Sequence, residues 1–243
     1  ALTRALRFQC HLVFEKEGMP PVCEHHALIV IGPQDHGPPP PVPILVCIRT
    51  EQSSHPGSRA LSVIHSWYGT VFDIQKSRAE ETGAIFLRAW PEWDSVELDL
   101  DADRPVQVLW YGTPTERRVE ILRSIQKEIG IEEPVGFLSG EDKRAALLDA
   151  KIALVVHAYY AGGSEPFRYV EAGSCGALVV AEAAPDTYPW VAGDHFVSAT
   201  SDVLPQVLRR CLEKWSETRR VRELAYCISS PAATTRTAAE TIL

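Results

Sequence analysis

The segment IALVVHAYYAGGSEPFRYVEAGSCGALVVAE, residues 152 to 182, decides the fold. Ile152 to Val156 is an unbroken apolar run of strand length, and Ala161-Gly162-Gly163 is a loop. Ser164 is a good N-cap and Pro166 is tolerated in a first turn, so a helix is predicted from Ser164 to Cys175, closed by Gly176. Ala177 to Ala181 is a second buried strand. Strand, helix and strand with such short links imply a right-handed parallel crossover.

Two more units precede it. Val106 to Tyr111 reads as a buried strand, and Pro114 to Ile129 as a helix with Val119, Leu122, Ile125 and Ile129 at helical spacing, capped by Gly130. Val135 to Leu138 is predicted as a strand and Gly140 to Leu148 as a helix with Lys143 and Arg144 near its start. After the quoted segment, Val203 to Ile228 reads as one long amphipathic helix, with a short helix from Ala232.

The first half offers strand-length apolar runs at His11 to Phe14, Ala27 to Ile31, Ile44 to Ile48, Val71 to Ile74 and Ala84 to Leu87. Their continuity suits a parallel sheet covered on both faces, with Ser58 to Tyr68 as a crossover helix. The proline-rich stretch His36 to Pro43 must be an extended loop, because proline lacks the backbone donor and fixes φ. Asp99, Asp101 and Asp103 mark a domain boundary, giving residues 1–104 and 105–243.

With 243 residues, 45% hydrophobic and 23% charged, the chain can bury two small cores, and disordered and fibrous classes are excluded. A net charge of -8 without a basic run argues against nucleic acid as a partner. The six cysteines form no C-x-x-C pair and no stretch is long and apolar enough for a signal or a spanning helix, so the expected setting is cytoplasmic, with peripheral membrane contact left open. Cys23-x-His25-His26 has no second ligand pair, and no metal site is expected.

Ligands of open parallel sheets sit beyond the carboxyl ends of the strands. Two junctions there carry chemistry. Gly112-Thr113-Pro114-Thr115-Glu116-Arg117-Arg118 joins a glycine, hydroxyls, a helix start and two guanidiniums, a mixture suited to a diphosphate or to a solvated helix start. At the second, Glu165, Arg168 and Glu171 step around the helix by roughly -60° each and share one face. Such a face can serve ribose and phosphate, or can be a pair of i,i+3 ion pairs worth about 0.2–0.5 kcal/mol each. His157 at the strand end is either a packed histidine or a ligand contact, and Tyr159 and Tyr160 are packing or stacking residues.

The ordered series Val108-Leu109-Trp110-Tyr111-Gly112, Glu116-Arg117-Arg118, His157-Ala158-Tyr159, Glu165-x-x-Arg168, Glu171-Ala172 and Ala177 to Glu182 resembles the nucleotide-sugar domain of GT-B glycosyltransferases, family 1 and family 4, of the spore-maturation-protein type. The resemblance implies an α/β chain of two Rossmann-like domains, the first a reduced acceptor-side domain recognised through Pro43 to Gln52 and Thr70 to Ile74. It implies transfer of a hexose from a UDP- or GDP-linked donor to an acceptor hydroxyl of unknown kind, without metal or cofactor. Glu171 then binds ribose, and Arg117, Arg118 and Arg168 meet the diphosphate together with Gly112 and Thr113. His157 faces the sugar, and Glu165 lies near it, although five residues rather than seven separate Glu165 from Glu171. The family's phosphate-contacting lysine has no clear counterpart. An inverting reaction needs a base from the first half, where Glu51 and His65 lead over His25, His26, Asp35 and His36. A non-catalytic nucleotide-sugar-binding module and an epimerase-like enzyme on the same fold are the alternatives.

Overall fold

The computed structural model describes residues 27–31, 44–50, 68–93, 98–129, 136–159 and 163–242. The first described sheet holds β1 (Ala27–Ile31), β2 (Ile44–Arg49), β3 (Thr70–Asp73) and β4 (Ile85–Phe86), in that order and all parallel. Helix α1 (Lys76–Thr82) crosses from β3 to β4. The second sheet is again in chain order and parallel: β5 (Val106–Leu109), β6 (Ala150–Val155), β7 (Leu178–Glu182) and β8 (Val197–Ala199). Helices α2 (Glu116–Ile129), α3 (Gly140–Asp149) and α4 (Pro166–Ser174) lie between its strands. The tail is α5 (Leu204–Glu213), a 3-10 turn at Trp215–Thr218, α6 (Arg219–Ser229) and α7 (Pro231–Ile242).

Continuous apolar strands are explained by burial on both faces. Along β6, Ile152 and Leu154 point to one side, against Leu122 and Ile125 of α2 and Leu204 and Leu208 of α5. Ala153 and Val155 point to the other, against Tyr169 and Val170 of α4 with Trp190 and Phe196. Gly176 closes α4 in the left-handed region at φ 68, as its place in the sequence predicts.

The long helix over Val203 to Ile228 is not one helix. Its first part, α5, packs with α2 on one face of the second sheet, while α6 packs along α4 on the opposite face. A straight rod cannot cover both, and the 3-10 turn redirects the chain, steadied by Arg222 over the Trp215 ring at 4.2 Å. The strand predicted at Val135 to Leu138 is also corrected: the described residues 136–139 belong to no strand, because β6 occupies the place beside β5. The segment only runs past the strand end, where Gly112 N–H donates to the Gly136 carbonyl at 3.2 Å. Helix α1 and strand β8 are absent from the sequence reading. The predictions for His11 to Phe14, His36 to Pro43, Gly130 and most of Ser58 to Tyr68 lie outside the described residues.

The two sheets touch through specific contacts. Gln75, just after β3, donates from Nε2 to the Ser164 carbonyl at 3.1 Å, and Trp90 meets Phe167 edge to face at 5.5 Å. Beneath this contact the fully buried Asp73 accepts from Arg78 Nε at 2.5 Å, from the Gln75 backbone at 2.8 Å and from Arg49. Burial lowers the pKa of Arg49 from its ordinary value, and Asp73 opposes that shift. Replacing Asp73 by Asn strands two buried guanidiniums, with an expected loss of about 3–5 kcal/mol of stability. Urea unfolding checks this, and an unchanged midpoint contradicts it.

Candidate functional site

Residues at the carboxyl ends of both sheets line one cleft of about 570 Å³. From the first sheet come Ile31, Thr50 and Ile74, at or just past the ends of β1, β2 and β3. From the second come Tyr111, Gly112 and Thr113 beyond β5, Ala158 and Tyr159 beyond β6, and the start of α4. Parallel strands aim their following loops at one edge, so two such sheets facing edge to edge place eligible side chains around one space.

At the back of the cleft stands Glu171, 3% exposed. Its Oε2 accepts from the Tyr111 hydroxyl at 2.9 Å and its Oε1 from Lys143 Nζ at 2.8 Å. Lys143 also donates to Glu92 Oε1 at 3.0 Å, and the other oxygen of Glu92 receives Gly140 N–H at the start of α3 at 2.9 Å. Burial pushes the Glu171 carboxyl up from its ordinary value, and Lys143 pulls it back in part. Burial and the adjacent Glu171 push the Tyr111 phenol well up. An ionised carboxylate has about four acceptor positions, so two remain for further donors, the number a ribose diol offers.

Closer to the loops lie Arg118, Arg168 and Glu165. Glu165 is the N-cap residue of α4, where Ser164 was predicted, and its side chain makes no cap bond. It is held instead by Arg118 Nη2 at 2.5 Å and by Arg168 Nε. Arg118 is further fixed by the Val156 carbonyl at 2.9 Å and the Thr113 carbonyl at 3.1 Å. Arg168 donates to the Tyr111 carbonyl and lies 4.8 Å over the Tyr111 ring. Gly112 permits this: it has φ 131, and a Cβ there would stand 2.1 Å from Arg168 Nη2.

Of the residues singled out in the sequence, Gly112, Thr113, Arg118, Glu165, Arg168 and Glu171 all line the cleft. Arg117 and His157 do not, which corrects the expectation that both face the donor. Consecutive helical residues point about 100° apart, so α2 can send only one of its two arginines into the cleft. Arg117 instead donates to the His157 carbonyl at 2.7 Å and pairs with Glu182. His157 is 3% exposed, with Nε2 at 3.0 Å from the Glu182 carbonyl. Glu51, His65, His25, His26, Asp35, His36 and Tyr160 lie outside the described residues. No group of three or more His, Cys, Asp or Glu among the described residues could hold a metal ion, and none of their helices is long and apolar enough to cross a membrane.

Sequence reasoning missed Lys143 and Glu92 as site residues. Lys143 had a usable signal, since a cation close to a helix N-terminus is unfavourable unless something holds it there. Glu92 had none, because its role depends on a contact between distant segments.

Residues 108–243, more than half of the chain, match the family model described as glycosyl transferase-like. The chain belongs to that family. No curated protein matches its sequence. Among solved structures, Anabaena HepE in complex with UDP and glucose is similar at 17% identity and a TM-score of 0.56, over 82% of this chain and 70% of HepE. TarM of S. aureus, in a complex that includes UDP, matches at 9% identity and a TM-score of 0.58, over 82% of this chain and 50% of its own. The pneumococcal O-GlcNAc transferase GtfA with UDP and GlcNAc matches at 11% and 0.52, over 82% of this chain and 51% of its own. The chain thus spans about half the length of the latter two. At these identities the likeness shows the fold, which is the two-sheet GT-B arrangement expected, with four parallel strands described in each sheet. None of these matches bears on the narrower spore-maturation-type branch.

Replacing Lys143 by Met removes the counter-ion of a buried carboxylate, with an expected loss of about 3–5 kcal/mol at neutral pH. A carboxyl whose folded pKa is raised favours folding below its unfolded pKa and loses that contribution as pH rises through the folded one. The deficit of Lys143→Met relative to wild type therefore shrinks on acidification through the raised pKa of Glu171. Urea midpoints at pH 5 and pH 8 test this, and a deficit independent of pH contradicts it.

Proposed function

We propose that the chain transfers a sugar from a nucleoside-diphosphate sugar, UDP-linked in the first instance, to an acceptor hydroxyl. The observation that carries the reading is the buried Glu171, with acceptor capacity left for a ribose diol, on the same helix as Arg168 and in the same cleft as the guanidiniums of Arg118 and Arg168. Ribose on Glu171 directs the diphosphate toward Gly112, Thr113 and the start of α4, where the helix dipole favours negative charge. As the glycosidic bond breaks, charge grows on the leaving diphosphate, and Arg118 and Arg168 stabilise it there. In this proposal cationic side chains take that part, and no metal is required. Arg117 and His157 act beneath the site, fixing the end of β6 through Glu182.

The first sheet supplies the acceptor side. Thr50 lines the cleft and Glu51 follows it in sequence, which favours Glu51 over His65 as the base of an inverting reaction. The complexes of HepE, TarM and GtfA with UDP support a uridine donor over a guanosine one.

Calorimetry with UDP, GDP and their sugars tests the reading. UDP is expected to bind the wild-type chain. Glu171→Gln, which leaves Lys143 paired with Glu92, is expected to weaken UDP on the order of tenfold to a hundredfold, as loss of charge-assisted hydrogen bonds does. Unchanged affinity in Glu171→Gln refutes the assignment. Sugar turnover only with an acceptor identifies a transferase, turnover without one an epimerase, and binding without turnover a non-catalytic module.

A further inference from the structure

The cleft is rich in cations, yet the described ones are already matched by carboxylates. Lys143 faces Glu171 and Glu92, while Arg118 and Arg168 both face Glu165. Glu165 spends both of its oxygens on these two guanidiniums, Oε1 on Arg118 and Oε2 on Arg168. Its side chain is only 11% exposed, so solvent screens the pairs weakly. A diphosphate brought to the same guanidiniums meets a carboxylate of its own sign, bound where its oxygens would go.

We infer that Glu165 is an internal competitor for the diphosphate subsite: a carboxylate that limits how tightly the nucleotide is held and eases its departure after transfer. The inference rests on the donor reading above and assigns Glu165 a role different from contact with the donor sugar.

The two arginines do not need Glu165 to stay in place. Arg118 is held by the carbonyls of Val156 and Thr113, and Arg168 by the Tyr111 carbonyl and ring. Neutralising Glu165 therefore leaves two oriented guanidiniums with a net positive charge beside the start of α4. An anion with several oxygens gains from that change. If Glu165 served instead to position the arginines or to hold the sugar, neutralising it would weaken binding, so the sign of the effect separates these roles.

Calorimetry on the full chain with inorganic diphosphate, UDP and uridine provides the test. In Glu165→Gln, diphosphate and UDP are expected to bind about tenfold tighter or better than in wild type, with uridine unchanged, because only the anionic part feels the removed charge. Glu165→Asp, one methylene too short to span both guanidiniums, is expected to shift affinity the same way by less, and it decides the matter if Glu165→Gln does not fold. Diphosphate affinity that is unchanged, weaker or absent in both proteins overturns the inference. Diphosphate alone reports this proposal, whereas UDP against diphosphate reports the nucleotide reading. Tighter diphosphate in the variant, with UDP no better than diphosphate in either protein, sinks the donor assignment and leaves the competition standing.

Discussion

Burying the Glu171 carboxylate requires a cation beside it, and that requirement organises the cleft. An ionised group at 3% exposure is costly without a partner, and Lys143 supplies one at 2.8 Å. Lys143 is in turn shared with Glu92, which belongs to the chain between the two sheets and also caps the first turn of α3. Tyr111, the residue past β5 that steers Arg168, is tied to the same carboxylate by its hydroxyl. The end of β5, helices α3 and α4 and the connection to the first sheet thus meet at one acidic side chain.

A second balance sits a turn earlier on α4. Glu165, Arg118 and Arg168 form a compact group in which the guanidiniums are held by carbonyls and an aromatic face as well as by the carboxylate between them. Cations held in place independently of their carboxylate suit a place where one anion exchanges for another. Glu171, locked by Lys143 and Tyr111, suits a place where hydroxyls are accepted without any displacement. The two glutamates differ in environment, and chemistry divides between them accordingly.

Much of this was legible in the sequence because it is local. The continuous runs at Ile152 to Val156 and Ala177 to Ala181, the Gly-Gly loop and the capping Gly176 dictate strand, crossover and strand without help from distant residues. Helical spacing was enough to put Glu165, Arg168 and Glu171 on one side of the cleft. Periodicity failed where the surroundings decide. The pattern over Val203 to Ile228 is amphipathic throughout, yet the chain must pass from one face of the sheet to the other, and the helix breaks at Trp215. Arg117 and Arg118 look interchangeable in sequence, and only the orientation of α2 turns the first toward Glu182 and the second into the cleft. The pairing of Lys143 with Glu92 spans distant segments and leaves no trace in either one.

The central claim is that a nucleoside diphosphate binds where the carboxyl ends of the two sheets face each other, against the start of α4. Amide hydrogen exchange of the full chain with and without UDP tests it most directly. The account predicts slowed exchange in peptides covering residues 111–118 and 163–171, with little change in α5 or α7. UDP that leaves both peptides unprotected, or protects only segments remote from the cleft, would contradict it.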